Sequence, residues 1–306
     1  MADIDMRTGR HPYLMSEPFV PMDATAARSF DTIIKSALAE DIGDGDVTSR
    51  AVVDADVRWS GRIVARAPGV VAGLGIAART FALVDPSTKI ELAVADGSKV
   101  AGGSVLATID GAARSLLAAE RVALNFLGRL SGVATLTRRY VEATAGTNAK
   151  ITDTRKTTPG LRAFERYAVR AGGGVNHRFG LADAVLVKDN HIAAVGSVKE
   201  AVRRARAGVG SRIVVEIECD RLDQIDDALE AGADSVLLDN MDAATMRKAV
   251  EAARGKAIVE ASGGMTLERV AETAAAGVDV ISVGALTHSA PALDVALDFD
   301  STRSGG

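Results

Sequence analysis

Between Thr25 and Glu40 the apolar residues Phe30, Ile33, Ile34, Ala37 and Leu38 recur at the helical interval and predict an amphipathic helix. From Val57 to Ile109 the pattern shortens to strands. Arg58–Ala65 alternates loosely, Ile90–Val94 alternates better, and Asp96-Gly97 carries a hairpin signal. Ala112 to about Thr144 is rich in alanine, leucine and arginine. Its leucines and Phe126 spread too widely for one stripe, which predicts a helix buried on more than one side, with a break at Ser131-Gly132. Beyond it, short apolar runs at 149–152, 184–187, 213–217, 235–238, 257–259 and 280–283 alternate with helical stretches at 198–207, 222–231, 243–253 and 267–276. This is the strand–helix alternation of a parallel barrel. Ala231-Gly232 and Ala276-Gly277 each set a glycine between a helix end and the next strand. Six strands, with a further unit hidden near 159–174, predict a barrel, closed or incomplete.

The resulting division has four parts. Residues 1–22 form an irregular, proline-punctuated lead. Residues 23–130 form a small N-terminal domain and 131–290 the barrel. Residues 291–306 return to the N-terminal domain and end in a frayed tail.

Composition narrows the function. The 306-residue chain carries a net charge of −4 and 4% aromatic residues, which argues against a nucleic-acid platform. A single cysteine, Cys219, excludes a disulfide framework and a four-cysteine zinc site, and it fits a reducing, cytoplasmic setting. Asp3, Asp5, Arg7 and Arg10 rule out a signal peptide in the first twenty residues, and no apolar run reaches the length of a membrane span. The acidic loop Asp41–Asp46 invites a calcium reading, but Val52 and Val53 stand where an EF-hand needs its late glutamate. Turns and helix caps are expected there instead, with Asp46 capping the residues that follow. The run 96–109 is similar to a lipoyl-type hairpin that would make Lys99 a modification site, but an exposed strand-edge lysine is the preferred reading.

Charge collects where the strands end. In chain order the predicted strands are followed by Asp153-Thr154-Arg155-Lys156, Lys188-Asp189-Asn190, Glu218, Asp239-Asn240, Ser262-Gly263-Gly264 and Gly284-Ala285. In a parallel barrel these ends converge on the face that carries active sites. Arg155, Lys156, Arg162, Arg170, Arg178 and Lys188, with His177 and His191, fill the segment 153–191 of an otherwise acidic chain and predict a pocket for a small polyanion. For Arg162, Glu165, Arg166 and Arg170 a solvated helix face remains open. The turns at Ser262-Gly263-Gly264 and Gly284 offer backbone amides to a phosphate. Glu218 and Asp239 suit acid–base work, Mg²⁺ or sugar hydroxyls, while Asp239 could equally cap a helix.

Three motifs, Asp153-Thr-Arg-Lys-Thr-Thr-Pro-Gly160, Gly172-Gly-Gly-Val-Asn-His-Arg178 and Val187-Lys-Asp-Asn-His191, resemble the quinolinate phosphoribosyltransferase family. Further stretches support the resemblance in order: Glu40–Asp46, Glu120–Leu127, Glu216-Ile217-Glu218, Glu260–Gly264 and Ser282–Ser289, so that it spans about residues 28 to 298. The resemblance implies a small N-terminal α/β sandwich and an incomplete β/α barrel of the type II phosphoribosyltransferase kind. It also implies transfer of phosphoribosyl from phosphoribosyl pyrophosphate to quinolinate, with loss of CO₂ and pyrophosphate, giving nicotinate mononucleotide for de novo NAD synthesis.

By motif match, Arg155, Lys156, His177, Arg178 and Lys188 would hold quinolinate, and Arg121 would reach a neighbouring subunit's site in a homodimer or larger homo-oligomer. Glu218 and Asp239 would stand near the ribose hydroxyls and the Mg²⁺–pyrophosphate, with Mg²⁺ arriving on the substrate. Ser262, Gly263, Gly264, Gly284 and Ala285 would surround the 5′-phosphate, and Thr154, Val283 and His288 would be further substrate-binding residues. Lys156, Lys188, Glu218 and Asp239 would be catalytic. No protein metal cage, nucleic acid or membrane is implied. Three rivals stay open: a paralogous phosphoribosyltransferase acting on another pyridine carboxylate, a barrel aldolase with Lys188 as its Schiff-base lysine, and a non-catalytic binding or carrier protein using the Lys99 hairpin.

Overall fold

A computed structural model describes residues 18–210 and 213–300. The expected irregular lead lies mainly, and the frayed tail wholly, outside the described residues. The helices are α1 (Asp31–Ile42), α2 (Val47–Val52), α3 (Leu74–Val84), α4 (Ala113–Ala143), α5 (Arg162–Ala171), α6 (Asp189–Val195), α7 (Val198–Val209), α8 (Leu222–Glu230), α9 (Ala243–Ala253), α10 (Leu267–Ala275) and α11 (Ala285–His288). The strands are β1 (Arg58–Ala65), β2 (Gly69–Val70), β3 (Lys89–Leu92), β4 (Lys99–Val100), β5 (Val105–Ala112), β6 (Lys150–Thr152), β7 (Val185–Val187), β8 (Val215–Cys219), β9 (Ser235–Asp239), β10 (Ile258–Ser262), β11 (Val280–Ser282) and β12 (Val295–Phe299).

The chain forms two compact units. One comprises Phe19–Leu136, Pro159–Gly173 and the chain from Ala290 on; the other comprises Thr137–Thr158 and Gly174–Ser289. In the first, an antiparallel sheet runs β12-β1-β5-β3. Its core joins Ile63, Leu106 and Ile109 of the sheet to Leu74 and Phe81 of α3 and Leu116, Leu124 and Leu127 of α4. The strand-only reading of 57–109 fails at α3. Leu74, Ala77 and Phe81 are spaced three and four apart and are buried, so this run is an amphipathic helix.

Asp96-Gly97 does not join a simple hairpin either: β2 pairs with β4, and β3 pairs with β5. The Asp96 carboxylate instead accepts the amides of Gly73 and Leu74 at the start of α3 and the Tyr167 hydroxyl at 2.6 Å. Asp46 does cap α2, accepting from the Ser49 amide.

The expected break at Ser131-Gly132 is absent, because α4 is continuous. Small residues sit there for close packing. The Ser131 hydroxyl accepts the Ala72 amide at 3.0 Å, and a side chain at Gly132 would strike the Pro291 carbonyl. The division expected at 131 therefore falls inside a helix. Pro159–Gly173, expected in the barrel, packs with the first unit. There Glu165 of α5 is fully buried and ion-paired to Arg129 of α4 at 2.6 Å, and Phe164 stacks on Phe126. The solvated-face reading of α5 thus fails at Glu165.

In the second unit six parallel strands run β6-β11-β10-β9-β8-β7. Val175 makes a parallel bridge to Thr152 beside β6, where a further strand would begin. The sheet is an incomplete barrel. Its lower register is fixed by a repeated device. After α8 and α10, Gly232 and Gly277 take φ of 90° and 94°, which only glycine adopts freely. Two residues on, the carboxylates of Asp234 and Asp279 accept the amides of Val215 and Val259 at 2.8 and 2.9 Å, pinning each adjacent strand.

Candidate active site

Side chains on a strand alternate between faces, so residues two apart point the same way. A cavity of about 800 Å³ opens at the C-terminal ends of the barrel strands, and its lining comes in such pairs: Leu186 and Lys188, Leu237 and Asp239, Glu260 and Ser262, Ser282 and Gly284. On β8, Glu218 lines the cavity while Glu216 lies one layer deeper and is buried. The inward faces therefore form a rim and a floor, the layering expected inside a barrel.

The cavity gathers most of the residues singled out in the sequence. Thr154, Arg155, Lys156, His177, Arg178, Lys188, Glu218, Asp239, Ser262, Gly263, Gly264, Gly284, Ala285 and His288 all line this one cavity. Arg121 and Val283 do not. Arg121 is exposed on α4 in the other unit. Val283 is buried, and its amide donates to the Thr152 carbonyl at 3.0 Å. Of the seven Lys and Arg residues in the central segment, Arg162, Arg166 and Arg170 lie on α5 in the other unit, leaving four around the cavity. Lys188 donates to Glu218 at 2.8 Å. Arg178 is buried and donates to the Ala184 carbonyl at 3.0 Å, so its guanidinium is anchored where it enters the cavity. The loop bearing Lys156 is tied to α11 by the Thr287 hydroxyl, which donates to the Lys156 carbonyl at 2.7 Å.

The glycine turn is built for close approach. Gly263 and Gly264 take φ of 91° and 53°, and Arg269 draws both their carbonyls to its guanidinium at 3.1 and 3.2 Å. With both carbonyls engaged by Arg269, a glycine turn lining the cavity is suited to offer backbone amides to an anion. At the second turn, Gly284 leads into a helix of only four residues, and any larger residue would press on the Lys156 stem and the His288 ring.

The floor holds a buried trio. The Nε2 of His177 lies 3.3 Å from Glu216 and 3.4 Å from Glu260. Ser235 donates to Glu216 at 2.9 Å. Asp153, fully buried, accepts the His177 amide at 2.8 Å and the Asn176 side chain at 2.6 Å, fixing the loop that presents His177 and Arg178. Burial works against a charged imidazole, while the neighbouring carboxylates of Glu260 and Glu216 pull its pKa upward. Burial, then the neighbouring Glu216 charge, pushes Glu260 above the ordinary carboxylate range. The Arg178 amide points at Nδ1 of His177 at 2.8 Å, so Nδ1 offers its lone pair and Nε2 carries the proton. The trio's extra proton then resides with the carboxylates, chiefly Glu260.

His177, Glu216 and Glu260 are spaced closely enough to resemble a metal-binding group. A metal on Nε2 would require Nδ1 to carry the proton, which the Arg178 amide opposes. Asp153, Glu216 and Glu260 stand in the motifs of the sequence reading but received no role there. The available signal was the strand period: stepping back two residues from Glu218 and Ser262 lands on Glu216 and Glu260.

Models of the C-terminal and N-terminal domains of quinolinate phosphoribosyl transferase match residues 133–298 and 46–131. A probable carboxylating nicotinate-nucleotide pyrophosphorylase of Bacillus subtilis is 45% identical over 85% of this chain and 89% of its own length. The Mycobacterium leprae nicotinate-nucleotide pyrophosphorylase [carboxylating] is 46% identical over 87% of this chain and 95% of its own. Among solved structures, NadC from Streptococcus pyogenes superposes with a TM-score of 0.86 at 41% identity, covering 89% of this chain and 96% of that one. Among the described residues no helix is long and apolar enough to cross a membrane.

Proposed function

The chain belongs to the quinolinate phosphoribosyltransferase family, and from that premise we infer how its own residues divide the work. It transfers phosphoribosyl from phosphoribosyl pyrophosphate to quinolinate, releasing pyrophosphate and CO₂ and leaving nicotinate mononucleotide, a step of NAD biosynthesis. The observation that carries the division of labour is the convergence of Arg155, Lys156, Arg178 and Lys188 with Glu218, Asp239 and the Gly263 turn on one cavity.

Quinolinate brings two adjacent carboxylates. Arg155, Arg178 and Lys188 clamp them, an arginine fork engaging a carboxylate by two parallel hydrogen bonds. Lys188 exchanges its Glu218 partner for the substrate. His177 has both ring nitrogens directed at protein groups, so it braces Arg178 and forms part of the wall. The clamp presents the pyridine nitrogen to the ribose anomeric carbon, which supplies proximity. The carbon–oxygen bond to pyrophosphate breaks with its electron pair leaving on pyrophosphate, and the nitrogen lone pair forms the new bond. Lys156 offsets the departing negative charge.

The ring is then a pyridinium. The bond to the adjacent carboxylate breaks, CO₂ leaves, and the electron pair stays on the ring carbon beside the cationic nitrogen until a proton replaces it. Asp239 and Glu218 accept hydrogen bonds from the ribose hydroxyls, and the Gly263 and Gly284 turns receive the 5′-phosphate. Mg²⁺ enters on the pyrophosphate. Two rim carboxylates, one already paired to Lys188, suit a substrate-borne ion that keeps its waters better than a closed protein cage. We further infer a cytoplasmic homodimer or larger assembly in which Arg121 serves a neighbouring site.

The direct test supplies quinolinate and phosphoribosyl pyrophosphate together and singly and follows CO₂. Release only with both supports this reading. Release from quinolinate alone, or turnover of nicotinate in its place, refutes it. Borohydride trapping of Lys188 with a carbonyl substrate would favour the aldolase.

A further inference from the structure

Asn240 takes no part in the assignments above, yet it is the only residue other than glycine with a positive φ, 55°, among the described residues. A left-handed backbone is unfavourable for a residue with a Cβ, and asparagine tolerates it better than most. Glycine would be easier still, so the side chain has a reason to be present. Three contacts supply one. The Asn240 amide nitrogen donates to Oδ2 of Asp239 at 2.8 Å. Its backbone amide donates to the Ser262 carbonyl at 3.2 Å. Its side-chain oxygen lies where a Cβ on Gly263 would sit, so the left-handed turn at Gly263 and the Asn240 side chain fit only each other. Asn240 also lines the cavity. One side chain thus joins the carboxylate at the end of β9 to the glycine turn at the end of β10.

We propose that Asn240 is a positioning residue that locks the Asp239 carboxylate and the Gly263 turn into a single receptor for the ribose-phosphate portion of the substrate. The amide donor leaves Oδ1 of Asp239 to accept from a sugar hydroxyl and prevents the carboxylate from rotating. The contact with Gly263 fixes the spacing between that carboxylate and the phosphate-facing amides. The proposal rests on the reading that Asp239 works at the ribose. It predicts an effect confined to one of the two substrates.

The test uses the full-length enzyme and three variants, with both substrates varied. Asn240→Gly keeps the left-handed backbone accessible but removes the amide. It should melt near the wild-type temperature, raise KM for phosphoribosyl pyrophosphate or lower kcat by about tenfold to a hundredfold, and leave KM for quinolinate within about twofold. Asn240→Asp puts a second carboxylate against Asp239 and should be worse than Asn240→Gly in the same parameters. Asp239→Asn is the control. If it is impaired while both Asn240 variants behave as wild type, the positioning role is overturned and the Asp239 assignment stands. If Asp239→Asn is itself unimpaired, the ribose assignment and the positioning role fall together. A change in melting temperature alone, or equal changes in both KM values, marks Asn240 as merely structural and also overturns the proposal.

Discussion

The rim and the floor of the cavity are successive layers on the same strands, and they manage charge in opposite ways. At the rim, Arg155, Lys156 and Lys188 are exposed, and the Lys188–Glu218 pair is partly solvated, with the lysine side chain 48% exposed. Such a pair contributes little to stability and exchanges partners readily. On the floor, His177 and Glu216 are 7% and 1% exposed and Glu260 is fully buried. There a charge deprived of its partner has no water to turn to. The rim holds cations for an arriving anion; the floor settles its charges internally and holds the rim's loops in place. Substitutions should therefore affect catalysis at the rim and stability on the floor.

The largest effect tests the rim. Lys156→Ala should lower kcat/KM by ~2–5 kcal/mol, roughly thirtyfold to several thousandfold, with an unchanged melting temperature. A variant that melts early but turns over normally when folded would reverse the assignment of layers. Arg178 is a poorer probe of the same point, because it is buried and anchored to the Ala184 carbonyl. Arg178→Ala should lose stability as well as activity.

Next comes the floor, where the two carboxylates should differ. Glu216→Gln removes the trio's ionised carboxylate, which faces Nε2 of His177 and accepts from Ser235, and should cost about 1–3 kcal/mol in denaturant unfolding. Glu260→Gln replaces a group that already carries a proton and should cost less than about 1 kcal/mol near neutrality. Equal costs would mean the trio's proton is not on Glu260.

The same proton sets a pH dependence. Glu260 is raised above the ordinary carboxylate value of 4.5 by burial and by the Glu216 charge, so the trio holds this proton more tightly folded than unfolded. A raised folded value means stability present at low pH and lost as pH rises. The trio's contribution should be complete below pH 4.5 and decline as pH rises through the raised Glu260 value. Unfolding free energies measured across that range should fall for the wild type and flatten in Glu260→Gln.

The two layers also differ in how far the sequence revealed them. Rim residues end apolar runs, so Lys188 after Ala184–Val187 and Asp239 after Ser235–Leu238 stand out. Floor residues lie inside those runs, where the strand period alone marks them, and Glu216 and Glu260 passed as ordinary members of their motifs. The Asn240 backbone was unreadable because no residue pattern demands a left-handed asparagine. Strand–helix alternation made the barrel legible. The helix α3 was missed because Leu74–Val84 sits among strands with the same apolar density. The placement of α5 depends on Glu165 finding Arg129, a pairing between distant parts of the chain that no local pattern contains.

The smallest signal, a recovery to a fraction of full activity, concerns Arg121, which lies outside the lining of this cavity. Arg121 matches a family position expected to serve a neighbouring site, and it does not line the cavity of its own chain's barrel. It shares the exposed face of α4 with Asn125, one turn away, while Val122, Ala123 and Leu124 between them are buried. An exposed arginine on a helix otherwise packed away is free to present its planar fork to another molecule. If the rim of each site is completed across a homodimer, Arg121→Ala and Lys156→Ala should each be inactive alone, and their mixture should not be. In a mixed dimer one site combines an intact Lys156 with an intact Arg121, and the other site carries both defects. Equal mixing makes about half the dimers mixed, so activity should recover to about a quarter of the wild-type level. Native mass spectrometry would establish that mixed dimers form. Mixed dimers without activity would mean that the rim is complete within one chain and that Arg121 acts elsewhere.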